Sequence, residues 1–269
     1  LRAFAGANTL VLGAGLVALV VVVRRRDLSR AGTAELPPPW SGRAGAVVLI
    51  RGGALGVVLM TGSYLVPAGG AGHEVLRVVI ATAASLAFVP VILMARRRLL
   101  EPAGLGLRSG FGLVPSRESV GPLLKVLLML LVLGQAGEWA LGLVARALDL
   151  STHWTEWFEP ELAWGSPAVV AVTVLDVVVL TPVLEELLFR GLLFATLRRG
   201  LGAQTAALAS AAVFALAHGY GALGFASVFW SALLWAWAYE RTGSLLPCIA
   251  SHAADNLSAS LSVLLVLRG

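Results

Sequence analysis

Cysteine, lysine and charge of either sign are scarce in this chain, and each scarcity excludes something. Cys248 is the single cysteine, so neither an internal disulfide nor a cysteine-rich metal site can form, and its expected role is packing. Lys125 is the single lysine, every other cationic side chain being arginine. With abundant Ala, Gly, Val and Leu, that bias is the one a GC-rich bacterial genome produces. Only 13% of the 269 residues are charged and 58% are hydrophobic, far from the composition of soluble domains. No low-complexity tract is long enough to act as a tether, and no repeat of fixed period appears, so a string of modules is excluded. Pro37 to Pro39 is a short stiff break and nothing more.

What is present is apolar sequence in lengths that match a bilayer. Mean hydropathy is +0.87. Windows able to cross hydrocarbon run near Ala3 to Val23, Ala44 to Val66, Val75 to Ala95, Leu123 to Ala145, Val169 to Phe189, Ala203 to His218, Ala222 to Tyr239 and Leu245 to Leu267. The expected fold is all-α, a polytopic membrane helical bundle of about eight transmembrane helices. It reads as a single membrane domain over residues 1–269, with few motifs in helices 1–148 and the polar motifs gathered in 166–267.

Arginines cluster after alternate windows: Arg24, Arg25, Arg26, Arg30 and Arg43; then Arg96, Arg97, Arg98, Arg108 and Arg117; then Arg198 and Arg199; then Arg241. The positive-inside rule makes these loops cytoplasmic and puts both termini outside. The loop from Asp149 to Gly165 has four carboxylates and no Lys or Arg, and its Trp154, Trp157, Phe158 and Trp164 suit an interfacial belt. The isoelectric point near 10.3 is explained by topology, so nucleic acid is not an expected partner. In the first window the positive charges follow the apolar run, and no A-x-A-like cleavage site stands out, so a retained helix is expected rather than a leader. The sequence opens without Met, and residues ahead of Leu1 are expected. The Gly- and Pro-rich segment from Glu101 to Pro122 is the longest cytoplasmic connection, a place for a surface helix or a gate.

Ionisable groups inside apolar helices are costly and are usually kept for function. Glu185-Glu186-Leu-Leu-Phe-Arg190, Phe214-x-x-x-His218 and His252-x-x-x-Asn256 all lie in such helices. Spacing by four puts Glu186 with Arg190, Phe214 with His218, and His252 with Asn256 on one face of each helix. Rise per residue tests whether the faces can meet. From a turn at Gly200, Glu185 lies about 21 Å along its helix and His218 about 25 Å; from a turn at Gly243, His252 lies about 14 Å in and Asn256 about 20 Å. The depths overlap, so a shared site is geometrically allowed.

Adjacent helical residues point about 100° apart, so Glu185 and Glu186 cannot serve the same groups. Glu186 is placed to pair with Arg190. Glu185 is then unpaired and desolvated, in the setting of a general base. His218 is suited to hold and activate water, Asn256 to donate to an oxyanion, and His252 to either task or to binding a metal with His218 and Glu185. Asp255 is a candidate to orient His252. Phe214 reads as packing, and Gly191 as a point of close helix approach. Glu138, Asp176 and Gln135 read as cavity-lining or interhelical polar groups. Other chemistries lack their signatures: His73-Glu74 is not followed by the second His of a zincin helix, and Gly243-Ser244 lacks the context of a nucleophile elbow. An aspartyl dyad of Asp176 and Asp255 has no supporting local signal.

The three sets together resemble the CPBP intramembrane proteases, which include the type II CAAX prenyl endopeptidases and bacterial Abi-family relatives. The family pattern E-E-x-x-x-R, F-x-x-x-H and H-x-x-x-[NB] is matched in order by Glu185, Glu186 and Arg190, by Phe214 and His218, and by His252 and Asn256. The resemblance covers roughly Val169 to Leu264. It implies that Glu185 activates a water assisted by His218, that His252 and Asn256 complete the site, and that Arg190 supports it through Glu186. The implied substrate is a membrane-associated protein or peptide met in the lipid bilayer. A glutamate-type mechanism is expected over a zinc metalloprotease, with no cofactor favoured, because Asn is a poor zinc ligand beside His or carboxylate. If zinc is present, Glu185, His218 and His252 are the expected ligands. The alternative is a catalytically silent immunity or scaffold protein of the same family.

Overall fold

The computed structural model describes residues 2–25, 32–65, 82–114, 120–150 and 158–267. Among them the chain is helical and contains no strand. Helix α1 spans Arg2–Arg25, α2 Gly42–Tyr64, α3 Val89–Ala95, α4 Leu107–Gly110, α5 Val120–Ala147 and α6 Pro160–Trp164. There follow α7 Pro167–Leu175, α8 Thr181–Glu186, α9 Ala195–Ala217, α10 Ala222–Thr242 and α11 Leu246–Leu267. Among the described residues five runs are long and apolar enough to cross a membrane: Gly42–Ser63, Val120–Ala147, Pro167–Ala217, Ala222–Thr242 and Leu246–Leu267. The chain is an integral membrane protein with an all-α fold.

Two of the expected windows stand apart from these runs. The apolar part of α1 is Thr9–Val22, shorter than the other runs. Part of the Val75 to Ala95 window lies outside the described residues. The windows at Val169 to Phe189 and Ala203 to His218 are two helical stretches that meet at a kink at Gly202, where φ is 78° and ψ 169°, close to the turn expected near Gly200.

Wide turns with i→i+5 bonding, Asp176–Leu180 and Leu187–Phe194, join α7, α8 and the part of α9 before Gly202 into one rod. The first has a cause in sequence. Thr181 N–H bonds the Asp176 carbonyl, and the next bond in that pattern would come from residue 182, which is proline and has no N–H to give. The Val177 carbonyl is therefore left without a backbone donor. Asn256 supplies one from α11, its Nδ2 donating to Val177 O at 2.9 Å.

Around this rod, α10 packs on α9, and α5 packs against α1, α10 and α11. Gly15 of α1 sits against the Leu128 carbonyl of α5, a close approach that small residues permit. Trp164 is 72% exposed and meets Phe158 edge-on at 5.5 Å, as an interfacial belt would; Trp154 and Trp157 lie outside the described residues.

The arginine-bearing connections meet at one end of the bundle. Gly32 N–H donates to Thr242 O at 2.9 Å and Ala34 N–H to Gly243 O at 3.0 Å. Arg198 Nε bonds Glu240 at 3.1 Å, and Arg199 Nη1 bonds Pro38 O at 2.5 Å. The connection expected between Glu101 and Pro122 as a surface helix or gate is partly internal instead. Its Phe111 is 1% exposed, and the Gly112 carbonyl accepts from Ser244 Oγ at 3.0 Å and from Leu245 N–H at 3.3 Å.

Gly112 offers a test of this junction. Its φ is +70°, and a Cβ there would strike the Gly243 carbonyl, whereas Gly104 has φ +72° with open space around it. Gly104→Ala is expected to lose about 1–2 kcal/mol from left-handed backbone strain. Gly112→Ala should lose that and more, seen as a larger drop in thermal unfolding midpoint in detergent. Equal drops would remove the close packing from the account.

Candidate active site

Each motif residue is presented by a local backbone feature. α9 ends at Ala217, and His218 N–H turns back to Ala215 O at 3.3 Å, leaving the Phe214 carbonyl unused. The His218 ring fills that gap, Nδ1 lying 2.8 Å from Phe214 O. A carbonyl can only accept, so the proton sits on Nδ1 and Nε2 keeps its lone pair for water. Gly219, at φ +67°, then ends the helix in the left-handed conformation that favours glycine.

Glu186 and Arg190 form the pair that helical spacing predicts, Nη1 to Oε1 at 2.8 Å, with side chains 0% and 2% exposed. Arg190 lies over two aromatic faces, its Cζ 4.3 Å from the Phe214 centroid and 4.9 Å from that of Trp235. Glu186 Oε1 also faces His252 Nδ1 at 3.1 Å. His252 Nε2 points toward Glu185 Oε2 at 3.6 Å, too long for a good hydrogen bond but close enough for the two groups to share one water. The partner that orients His252 is therefore Glu186, not the expected Asp255. Asp255 is next to Asn256 on α11 and faces the cavity instead. Spacing of three on one helix suggested Asp255, but the longer reach across helices from Glu186 wins.

Phe214 is the packing residue it was expected to be, and it packs the site itself. Its ring meets His218 at 4.7 Å, His252 at 6.0 Å and Phe189 at 4.7 Å, all edge-on. Trp235 stacks on the His252 ring at 4.3 Å and 19°. Sequence reasoning missed Trp235, because a tryptophan in an apolar helix carries no pattern of its own. Gly191 does mark a close approach, though to Phe111 from the connection after α4.

Glu185, His218, His252 and Asn256 line one cavity of about 690 Å³, and Phe214 and Trp235 form part of its wall. Gln135, Glu138 and Asp176 line it too. Glu138 accepts from Ser227, and Asp176 Oδ2 lies 3.4 Å from Ser85 Oγ. Glu159, just ahead of α6, also reaches this space; burial, with Glu161 and Asp176 nearby, holds its carboxyl above the usual range. Among the described residues no three His, Cys, Asp or Glu side chains converge as a metal-holding group. Glu185, His218 and His252 line the cavity without meeting as such a group.

Residues 167–258 match the family model described as Type II CAAX prenyl endopeptidase Rce1-like. This segment is similar to that family. The match begins at the first residue of α7 and ends two residues past Asn256, so it encloses all three motifs. It bears out the resemblance to the CPBP intramembrane proteases and points to a protease in general. Neither the curated proteins nor the solved structures give a match.

Proposed function

We propose that the chain is an intramembrane endopeptidase that hydrolyses a peptide bond of a membrane-associated protein or peptide with a water held by Glu185 and His218. The observation that carries this reading is the meeting of Glu185, His218, His252 and Asn256 on one cavity within the Rce1-like segment. The water donates to Glu185 and to the free Nε2 of His218. Glu185 takes its proton as the oxygen attacks the scissile carbonyl, and then returns that proton to the leaving amine. The carbonyl oxygen becomes an oxyanion, accepting from Asn256 Nδ2, which has one N–H beyond the one given to Val177. Glu186 holds His252, and Arg190 holds Glu186. Residues 166–267 are the catalytic core in this reading, and helices 1–148 its scaffold. The arginine-rich end is cytoplasmic and both termini lie outside, in a bacterial inner or plasma membrane. No nucleic acid is a partner.

The mechanism proposed is metal-free, because Asn256 is a poor zinc ligand beside His or carboxylate and no three His, Cys, Asp or Glu side chains converge among the described residues. Purified protein incubated with membrane-inserted peptides tests both claims. Cleavage is expected with negligible bound metal, and Asn256→Ala should slow it about a hundredfold. Stoichiometric zinc whose removal and return switches activity off and on would replace the mechanism and keep the protease. Failure to cleave any peptide by a folded protein would favour the silent immunity or scaffold reading.

A further inference from the structure

Among the described residues five carboxylates line the cavity, namely Glu138, Glu159, Asp176, Glu185 and Asp255, and no lysine or arginine does. Carboxylates gathered in this way can serve structure alone, so the decisive observation is at Asp176. This residue is 8% exposed and faces the cavity, yet its Oδ1 has no hydrogen-bond partner among the described residues. Its Oδ2 has only a long contact to Ser85 Oγ, whose closer partner is Thr181 Oγ1 at 2.9 Å. A buried carboxylate oxygen left in this state is costly unless a hydrogen-bond donor completes it. A metal ion would need more ligands than converge here. A single ammonium or guanidinium would not.

We propose that the Asp176 side of the cavity is a subsite for a basic side chain of the substrate, a lysine or arginine within about four residues of the scissile bond. The reach follows from the helix. Asp176 and Glu185 are separated by about 13 Å along the rod, which an extended peptide covers in about four residues. The wide turn that begins at Asp176 is itself fastened to the reaction centre, since Asn256 bonds the carbonyl of the very next residue, Val177. Recognition and chemistry therefore share one rigid frame. The remaining carboxylates set a negative field between Glu159, at the arginine-free end, and Glu185, and this draws a cation inward. The substrate side of this inference rests on the protease reading; the subsite itself does not.

The test separates the two. Thermal unfolding of the full chain in non-ionic detergent is followed with hexylammonium and, as its neutral counterpart, 1-hexanol. Hexylammonium is expected to bind at least roughly tenfold more tightly than hexanol, at the low end of what close charge pairs contribute, and to raise the midpoint accordingly. Asp176→Asn, of the same shape, should remove that preference. Should this variant not fold, Asp255→Asn should weaken the preference through the same field. Equal responses to amine and alcohol in the unmodified chain, or a preference unchanged in both variants, would overturn the subsite. A retained amine preference in protein that cleaves no peptide would sink the protease and leave the subsite standing. With a cleaved peptide in hand, replacing its lysine by norleucine should raise KM about tenfold with little change in kcat.

Discussion

Glu185→Gln is expected to reduce peptide hydrolysis by about a hundredfold to ten-thousandfold in kcat, with folding and membrane insertion unchanged. The amide has the size of the carboxyl group and still accepts a hydrogen bond from water, but it cannot take the proton that attack releases. Structure should survive because Glu185 is not part of the buried ion pair. Its nearest charged partner is His252 Nε2 at 3.6 Å, and that ring remains held through Nδ1 by Glu186 at 3.1 Å. Substrate affinity should therefore change much less than turnover. Measured as initial rates on one cleaved peptide, alongside unfolding midpoints, the loss should sit in kcat. Near-normal turnover by a folded Glu185→Gln protein would remove Glu185 from the role of base and move attention to Asp255, another carboxylate on the cavity.

The contrast between what spacing could and could not reveal is physical. An i,i+4 relation lies within one helix, so the Glu186 to Arg190 pair and the shared face of Phe214 and His218 were legible from sequence. The all-α membrane fold was legible for the same local reason, since hydropathy windows depend on neighbours in the chain. Contacts between helices are set by rotation and tilt, which a single sequence does not carry. That is why His252 turned out to be oriented by Glu186 and not by Asp255, and why Trp235 escaped notice.

Asn256 marks the boundary between the two kinds of information. Its position four residues after His252 was visible, and so was Pro182. Their connection was not. It depends on a wide turn that appears because the i→i+5 pattern started by Thr181 meets a proline at its next step, leaving Val177 O for Asn256 to satisfy. The amide is thus both a structural clamp and a donor toward the cavity.

Arg190→Met is expected to be the most destabilising single change at the site, costing about 3–5 kcal/mol. The guanidinium is 1% exposed, bonds Glu186 at 2.8 Å, and lies against Phe214 and Trp235. Its removal strands a carboxylate that is 0% exposed and takes away a cation held between two rings. Glu186→Gln should cost less, because the amide oxygen can still accept from Arg190, but it should loosen His252 and slow turnover. The informative variant is the double one, Glu186→Leu with Arg190→Met. With both charges gone no buried charge is left without its counter-charge, so its stability should recover much of what Arg190→Met loses, a coupling of about 1–3 kcal/mol in the double-mutant cycle. Activity should not recover with it, because His252 Nδ1 has lost the oxygen that fixes the ring. If the double variant regains both stability and turnover, the pair is only a packing element and Glu186 has no part in holding His252. If stability returns and turnover does not, the ion pair serves the site through His252.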